Sequence, residues 1–150
     1  MKIKAMYKNE ILKDFVDECK KKFGKELVSI VLFGSMGRKI ADTRSDIDII
    51  IVINRDSKNQ MLKDIRIEFL LKYEVKLDIL LLTKKDVIDN FKAFSPLFST
   101  FALGLDILYD QGFFEKQLKE FGKKLEKTKI KYYEGGKVWD LQKIGSKSLQ

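Results

Sequence analysis

The sequence predicts an α+β fold, a mixed β-sheet covered by helices, and three features carry that reading. Short β-branched apolar runs of strand length alternate with amphipathic helical stretches. The apolar share of 45% is ordinary for a packed protein, and the charged residues, 35% of the chain, are spread along it instead of massed in a tail. At 150 residues the chain suits one domain. We expect a core over about residues 10–110, followed by a C-terminal helix and hairpin over about 111–142.

From Asn9 to Phe23 the apolar residues Ile11, Leu12, Phe15, Val16 and Cys19 fall at helical spacing, and Gly24 suits the stop. Leu27 to Phe33 reads as the first core strand. Gly34 to Ser45 has no period and reads as a loop, with room for a short helix at Gly37 to Ala41. Asp46 to Ile53 is the second strand, and its run of isoleucines and valine is apolar on both faces, which places it inside the sheet. Ser57 to Tyr73 is a helix by its Met61, Leu62, Ile65, Phe69 and Leu70, and Val75 to Leu82 is a third strand.

Thr83 is placed to cap a helix over Lys84 to Phe91. Pro96, the only proline, opens a further helix over Leu97 to Leu103 that Gly104 stops, and Asp106 to Tyr109 is a short strand. Gly112 to Lys127 is the last long helix. Ile130 to Tyr133 and Val138 to Leu141 flank Glu134-Gly135-Gly136-Lys137 as a hairpin, which we expect to join the same sheet.

Composition excludes several chemistries. With no histidine, the commonest zinc ligand and the usual general base near neutral pH are missing, so carboxylates must do such work. Cys19 is the only cysteine and cannot form an internal disulfide, and helical spacing assigns it to the core. Met1-Lys2-Ile3-Lys4 does not begin a secretory signal, and no apolar run approaches the roughly 20 residues of a membrane span. A cytoplasmic protein with no membrane association is the expectation. The formal charge of +8 favours phosphate-bearing partners, yet arginines are few, so nucleic acid is not the favoured one.

The chemistry lies in Leu32-Phe33-Gly34-Ser35-Met36-Gly37-Arg38 and Ser45-Asp46-Ile47-Asp48-Ile49. Residues two apart on a strand share a face, so Asp46 and Asp48 sit side by side. Two carboxylates at the end of a buried strand repel and lose hydration, and one takes up a proton unless a cation compensates. Hard oxygen ligands on a rigid strand suit Mg²⁺, which binds through few carboxylates plus substrate phosphates. Lys76-Leu77-Asp78-Ile79-Leu80 repeats the pattern with one acid, and if its strand neighbours the second, Asp78 joins the cluster. Three carboxylates can hold two metal ions about 3.5 to 4 Å apart. Gly34 permits close backbone approach to phosphate oxygens, Ser35 adds a hydroxyl donor, and Arg38 can pair with a β- or γ-phosphate.

Phe33-Gly34-Ser35, ten intervening residues and then Asp46-Ile47-Asp48-Ile49 resemble the signature of the DNA polymerase beta superfamily of nucleotidyltransferases, and in particular its minimal members. Arg38, Ser45 and Asp78 fall where those members carry Arg, Ser and a third acid, while Gly37 stands where many have Ala. The resemblance covers about Glu10 to Thr83. It implies a palm-like mixed sheet, two Mg²⁺ ions, and ATP or another nucleoside triphosphate as substrate. It further implies that Asp46 and Asp48 bind both metals. Asp78 binds the catalytic one and helps deprotonate the acceptor hydroxyl, and Gly34, Ser35 and Arg38 hold the triphosphate.

The expected activity is transfer of a nucleoside monophosphate, AMP first, to a hydroxyl of a protein or small molecule. The chain is too short for the polymer-holding domains of polymerases. Similarity to minimal nucleotidyltransferases also implies a partner, a HEPN-type ribonuclease toxin for which this chain is the antitoxin. The alternative is a module that binds nucleotide or a partner without turnover.

Overall fold

The computed structural model of the chain describes residues 5–34, 46–55, 60–127, 131–134 and 137–140. Helix α1 (Ala5–Phe23) leads through a 3-10 turn (Gly24–Glu26) into β1 (Leu27–Phe33), and β2 (Ile47–Ile53) follows. Helix α2 (Gln60–Tyr73) connects to β3 (Leu77–Thr83), then α3 (Lys84–Lys92) and a short α4 (Pro96–Ser99). A second 3-10 turn (Thr100–Leu103) leads to β4 (Asp106–Asp110) and α5 (Phe114–Lys127). The chain continues through β5 (Lys131–Glu134) and β6 (Lys137–Asp140).

Four strands form one mixed sheet in the order β3-β2-β1-β4, with β1 antiparallel to β2 and β4, and β2 parallel to β3. This is the predicted α+β arrangement, with β2 in the interior as its two-sided apolar run required. One expectation is corrected. β5 and β6 pair antiparallel with each other as a separate two-stranded sheet instead of extending the mixed one. Their two-residue connection closes at little entropic cost, so local pairing is satisfied first.

Alternation along the strands sorts side chains into two cores. Ile47, Ile49, Ile51 and Ile53 of β2, with Leu77 and Ile79 of β3, pack under α1 and α2 against Ile11, Phe15, Ile65 and Phe69. Cys19 lies in this core, fully buried, and burial pushes its thiol up to about 12, so it is no nucleophile at neutral pH. Ile50 and Val52 point the other way, into a phenylalanine-rich core shared with α3, α4 and α5. There Phe91 meets Phe98 edge-on at 4.7 Å and Phe121 at 4.9 Å between ring centres. Asp48 belongs to this second face by register, and so does Asp78.

Element ends follow local chemistry. Thr83 caps α3 as predicted: its Oγ1 accepts from Asp86 N at 3.2 Å while Thr83 N donates to Asp86 Oδ2 at 2.9 Å. The stretch after Pro96 is one turn of α-helix and one of 3-10 helix instead of a continuous helix. Ser95 caps its start, accepting from Phe98 N. The last long helix begins at Phe114, later than Gly112, because Asp110 sets its start. Asp110 Oδ1 accepts from Ser29 Oγ at 2.6 Å and from the amides of Phe113 and Phe114, and Oδ2 accepts from Glu115 N at 2.9 Å.

Burial alone raises the Asp110 pKa, but the Ser29 hydroxyl and the amides of Glu115, Phe114 and Phe113 outweigh it and hold the carboxyl below its ordinary value. A depressed folded value means stability present above the ordinary aspartate range and lost as pH falls through the folded value. Asp110→Ala removes the cap and leaves the buried Ser29 hydroxyl without its acceptor, so we expect a loss of about 1 to 3 kcal/mol. Urea melts of parent and variant should show it at pH 7. The gap should narrow in acid, and a constant gap would contradict the assigned role.

Candidate functional site

Three strand ends meet at one place. In the parallel ladder Asp48 is the direct partner of Asp78, and in the antiparallel ladder it is the partner of Phe33, the last residue of β1. Gly34 follows at φ 67°, a left-handed conformation that glycine adopts without steric cost. A Cβ there would overlap Asp48 Oδ2 and stand 3.2 Å from its Cγ. Gly34 is thus the roof over the Asp48 carboxylate, and only a residue without a side chain fits. The sequence assigns this close approach to phosphate oxygens, and the neighbour the structure places there is the Asp48 carboxylate.

The electrostatics follow from this placement. Asp48 is half-buried, and burial, first of all, raises its pKa above the ordinary value. The charges of Asp78 and Asp46 add to that, as does a side-chain hydrogen bond with Asp78. A raised folded value means that a protonated Asp48 stabilises the fold and that this stability is lost as pH rises through that value. At neutral pH the cation-free cluster therefore opposes folding. Asp48→Asn is expected to raise the melting temperature of the chelator-treated protein at pH 7, with the gain fading below the ordinary aspartate range. A lower melting temperature at pH 7 would show Asp48 to be a structural acceptor instead.

Asp46 is arranged differently from its expected position. It precedes β2, is exposed, and its Oδ2 lies 3.6 Å from Lys76 Nζ. The structure thus brings Asp48 and Asp78 together, while Asp46 faces a lysine at the mouth of β3. Among the described residues no three Asp, Glu, Cys or His side chains have converged into a metal-holding group. The pair still fits a divalent cation in kind and placement, with two hard carboxylates on adjacent rigid strands, one of them held above its ordinary pKa by burial and by its acidic neighbours. Both partners of the Lys76–Asp46 contact are largely exposed, and such ion pairs contribute at most about 1 kcal/mol, so Asp46 is free to turn. The sequence alone assigns Lys76 no role, although a cation two residues before Asp78, just ahead of β3, is visible in it.

The surroundings leave the pair open. Leu80 shares the face of Asp78 yet is exposed, so the helices on this side do not cover the start of β3. Ser35 and Arg38, expected to hold phosphates, lie outside the described residues, as does the short helix expected at Gly37 to Ala41.

Residues 12–103 match the family model described as the nucleotidyltransferase domain. The chain belongs to this nucleotidyltransferase family. Every site residue above lies within the matched region. A curated relative from Methanocaldococcus jannaschii, named "putative protein adenylyltransferase", is 30% identical over 139 residues, covering 89% of this chain and 93% of the relative. Membership and this relative make the chain a nucleotidyl-transferring enzyme. The fold resembles that of the spectinomycin adenyltransferase AAD(9) from Enterococcus faecialis, solved with ATP and spectinomycin. The TM-score is 0.51 at 8% identity, covering 80% of this chain and 68% of that one. A toxin-antitoxin structure with AMP-PNP has a TM-score of 0.49 at 15% identity, covering 77% of this chain and 90% of the other.

Proposed function

We propose that this nucleotidyltransferase moves AMP from ATP to a hydroxyl of a protein, with Mg²⁺ as its metal. The observation that carries the proposal is the direct pairing of Asp48 with Asp78 beneath Gly34, two carboxylates at the starts of adjacent strands, with the Asp48 pKa raised by burial and by its acidic neighbours. Asp48 and Asp78, joined by Asp46 when it turns from Lys76, would hold the cation, and two such ions are the number the three acids suit. When bound, Mg²⁺ offsets the charge of the carboxylates and of the triphosphate.

The chain's own residues do the remainder. Gly34, whose turn lies against the Asp48 carboxylate, is assigned with Ser35 and Arg38 to the triphosphate, the last two as donors. Asp78 accepts the proton of the acceptor hydroxyl. The hydroxyl oxygen forms a bond to the α-phosphorus, the bond from that phosphorus to the bridging oxygen breaks, and pyrophosphate leaves. A protein acceptor is favoured over a small molecule by the name of the relative that spans nearly the whole chain. The spectinomycin enzyme, by contrast, has a substantial part of its chain beyond the shared fold.

Within that class we place a HEPN-type toxin first, on the resemblance to minimal nucleotidyltransferases, and the cytoplasm as the setting. Among the described residues no helix is long and apolar enough to cross a membrane. The test is to incubate the protein with ATP labelled at the α-phosphate, Mg²⁺ and cell extract, then identify what becomes labelled. Label on a protein that survives denaturation is the expected result. Label confined to small molecules would overturn the acceptor class, and none anywhere would overturn turnover.

A further inference from the structure

We propose that the groove between edge strand β3 and helix α2 docks an extended, acidic-apolar stretch of the acceptor polypeptide and delivers its hydroxyl to Asp78. The inference rests on the transferase reading of Asp78 given above. The groove, about 290 Å³, is lined by Arg66, Ile67, Leu70, Lys76, Leu77 and Asp78. Asp78, the residue assigned to take the acceptor's proton, is part of that lining, and by register its side chain turns to the face of the sheet away from α2.

The backbone of β3 supplies the first argument. β3 is the outermost strand on its side of the sheet. Ile47 N donates to Lys76 O at 3.1 Å, so the Lys76 peptide faces β2. By alternation Leu77, Ile79 and Leu81 turn their N–H and C=O groups away from the sheet. The Ile79 carbonyl confirms that direction, because Arg66 Nη2 reaches it from α2 at 3.0 Å. Among the described residues no strand pairs with this edge next to the reacting carboxylate, and an extended peptide, displacing Arg66 from the Ile79 carbonyl, is the chain form that pairs with it.

The groove's side chains supply the second. Ile67 and Leu70 stand 51% and 53% exposed on its wall, an adjacent apolar pair with nothing of this chain over it among the described residues. The volume lies just below the about 300 to 1,000 Å³ typical of small-molecule sites, so it suits one or two side chains, with the main chain held along the edge. Charge decides the flanks of the segment. Arg66 and Lys76 line the groove, and Lys76 is released from Asp46 once that carboxylate turns to a cation. Carboxylates on the segment complement both cations. The same argument disfavours a second copy of this chain, since two bodies of charge +8 repel.

The test uses the full chain with Mg²⁺, ATP labelled at the α-phosphate, and two pools of decapeptides centred on Tyr, Ser or Thr. One pool has Glu and Leu flanks, the other Lys and Ser. We expect the acidic-apolar pool to be labelled about tenfold faster. Ile67→Asp and Leu70→Asp change exposed positions, so the fold should hold. Both should raise the peptide KM about tenfold while kcat and ATP affinity stay within about twofold. N-methylation of alternate peptide amides should raise KM similarly, and hydrogen exchange at Leu77, Ile79 and Leu81 should slow when peptide is added. Equal labelling of the pools would overturn the proposal, as would an unchanged KM in both variants or slowed exchange produced by raising the protein concentration alone. Labelling indifferent to the groove defeats docking and leaves the transferase. Slowed exchange without any labelling does the reverse, and absence of both defeats docking too.

Discussion

Asp78→Asn is expected to bind ATP nearly as the parent does and to transfer AMP far more slowly. Asp48 and Asp46 remain to hold a cation on the triphosphate, so nucleotide affinity survives. The group that takes the acceptor's proton is gone, and positioned general bases contribute on the order of 10² to 10⁴ in rate, with loss of a metal ligand adding to that. The chelator-treated variant should melt no lower than the parent, because one charge has left a repelling pair whose other member, Asp48, is already held above its ordinary pKa by burial and by Asp78. Transfer rate and cation-free melting temperature should thus move in opposite directions. A parent-like rate would remove Asp78 from the mechanism, and a lower melting temperature would make it structural.

Gly34→Ala should damage the site and the fold together. The left-handed backbone at φ 67° costs a residue with a Cβ about 1 to 2 kcal/mol. The added methyl also overlaps the Asp48 carboxylate, which cannot retreat easily because β2 is the interior strand between β1 and β3. We expect a melting temperature several degrees lower, and a loss of transfer of at least about 10²-fold, since a displacement of roughly 1 Å in a reacting group can have that effect. Transfer within twofold of the parent would mean that the roof over Asp48 has no part in catalysis.

The fold was legible in the sequence to the extent that periodicity carries it. Leu27 to Phe33 and the isoleucine run of β2 were placed to within a residue because β-branched runs bounded by glycine or charge admit little else. The pairing of Asp48 with Asp78 needed one condition, adjacency of two strands, which the sequence could state only as a condition. What stayed hidden was long-range. Lys76 meets Asp46 across 30 positions of chain, and Asp110 meets Ser29 across 81, and neither contact leaves a periodic trace. The hairpin's strands were readable, but their separation from the main sheet was not, because pairing partners are not encoded in the alternation of a single strand.

The Asp48–Asp78 pair should bind triphosphate through a divalent cation, and calorimetry tests this most directly. ATP titrated into the protein should give a clear binding isotherm with Mg²⁺ present. With excess chelator that isotherm should be lost or greatly weakened, because the uncompensated carboxylates repel the phosphates. Equal ATP affinity with and without chelator would contradict the account.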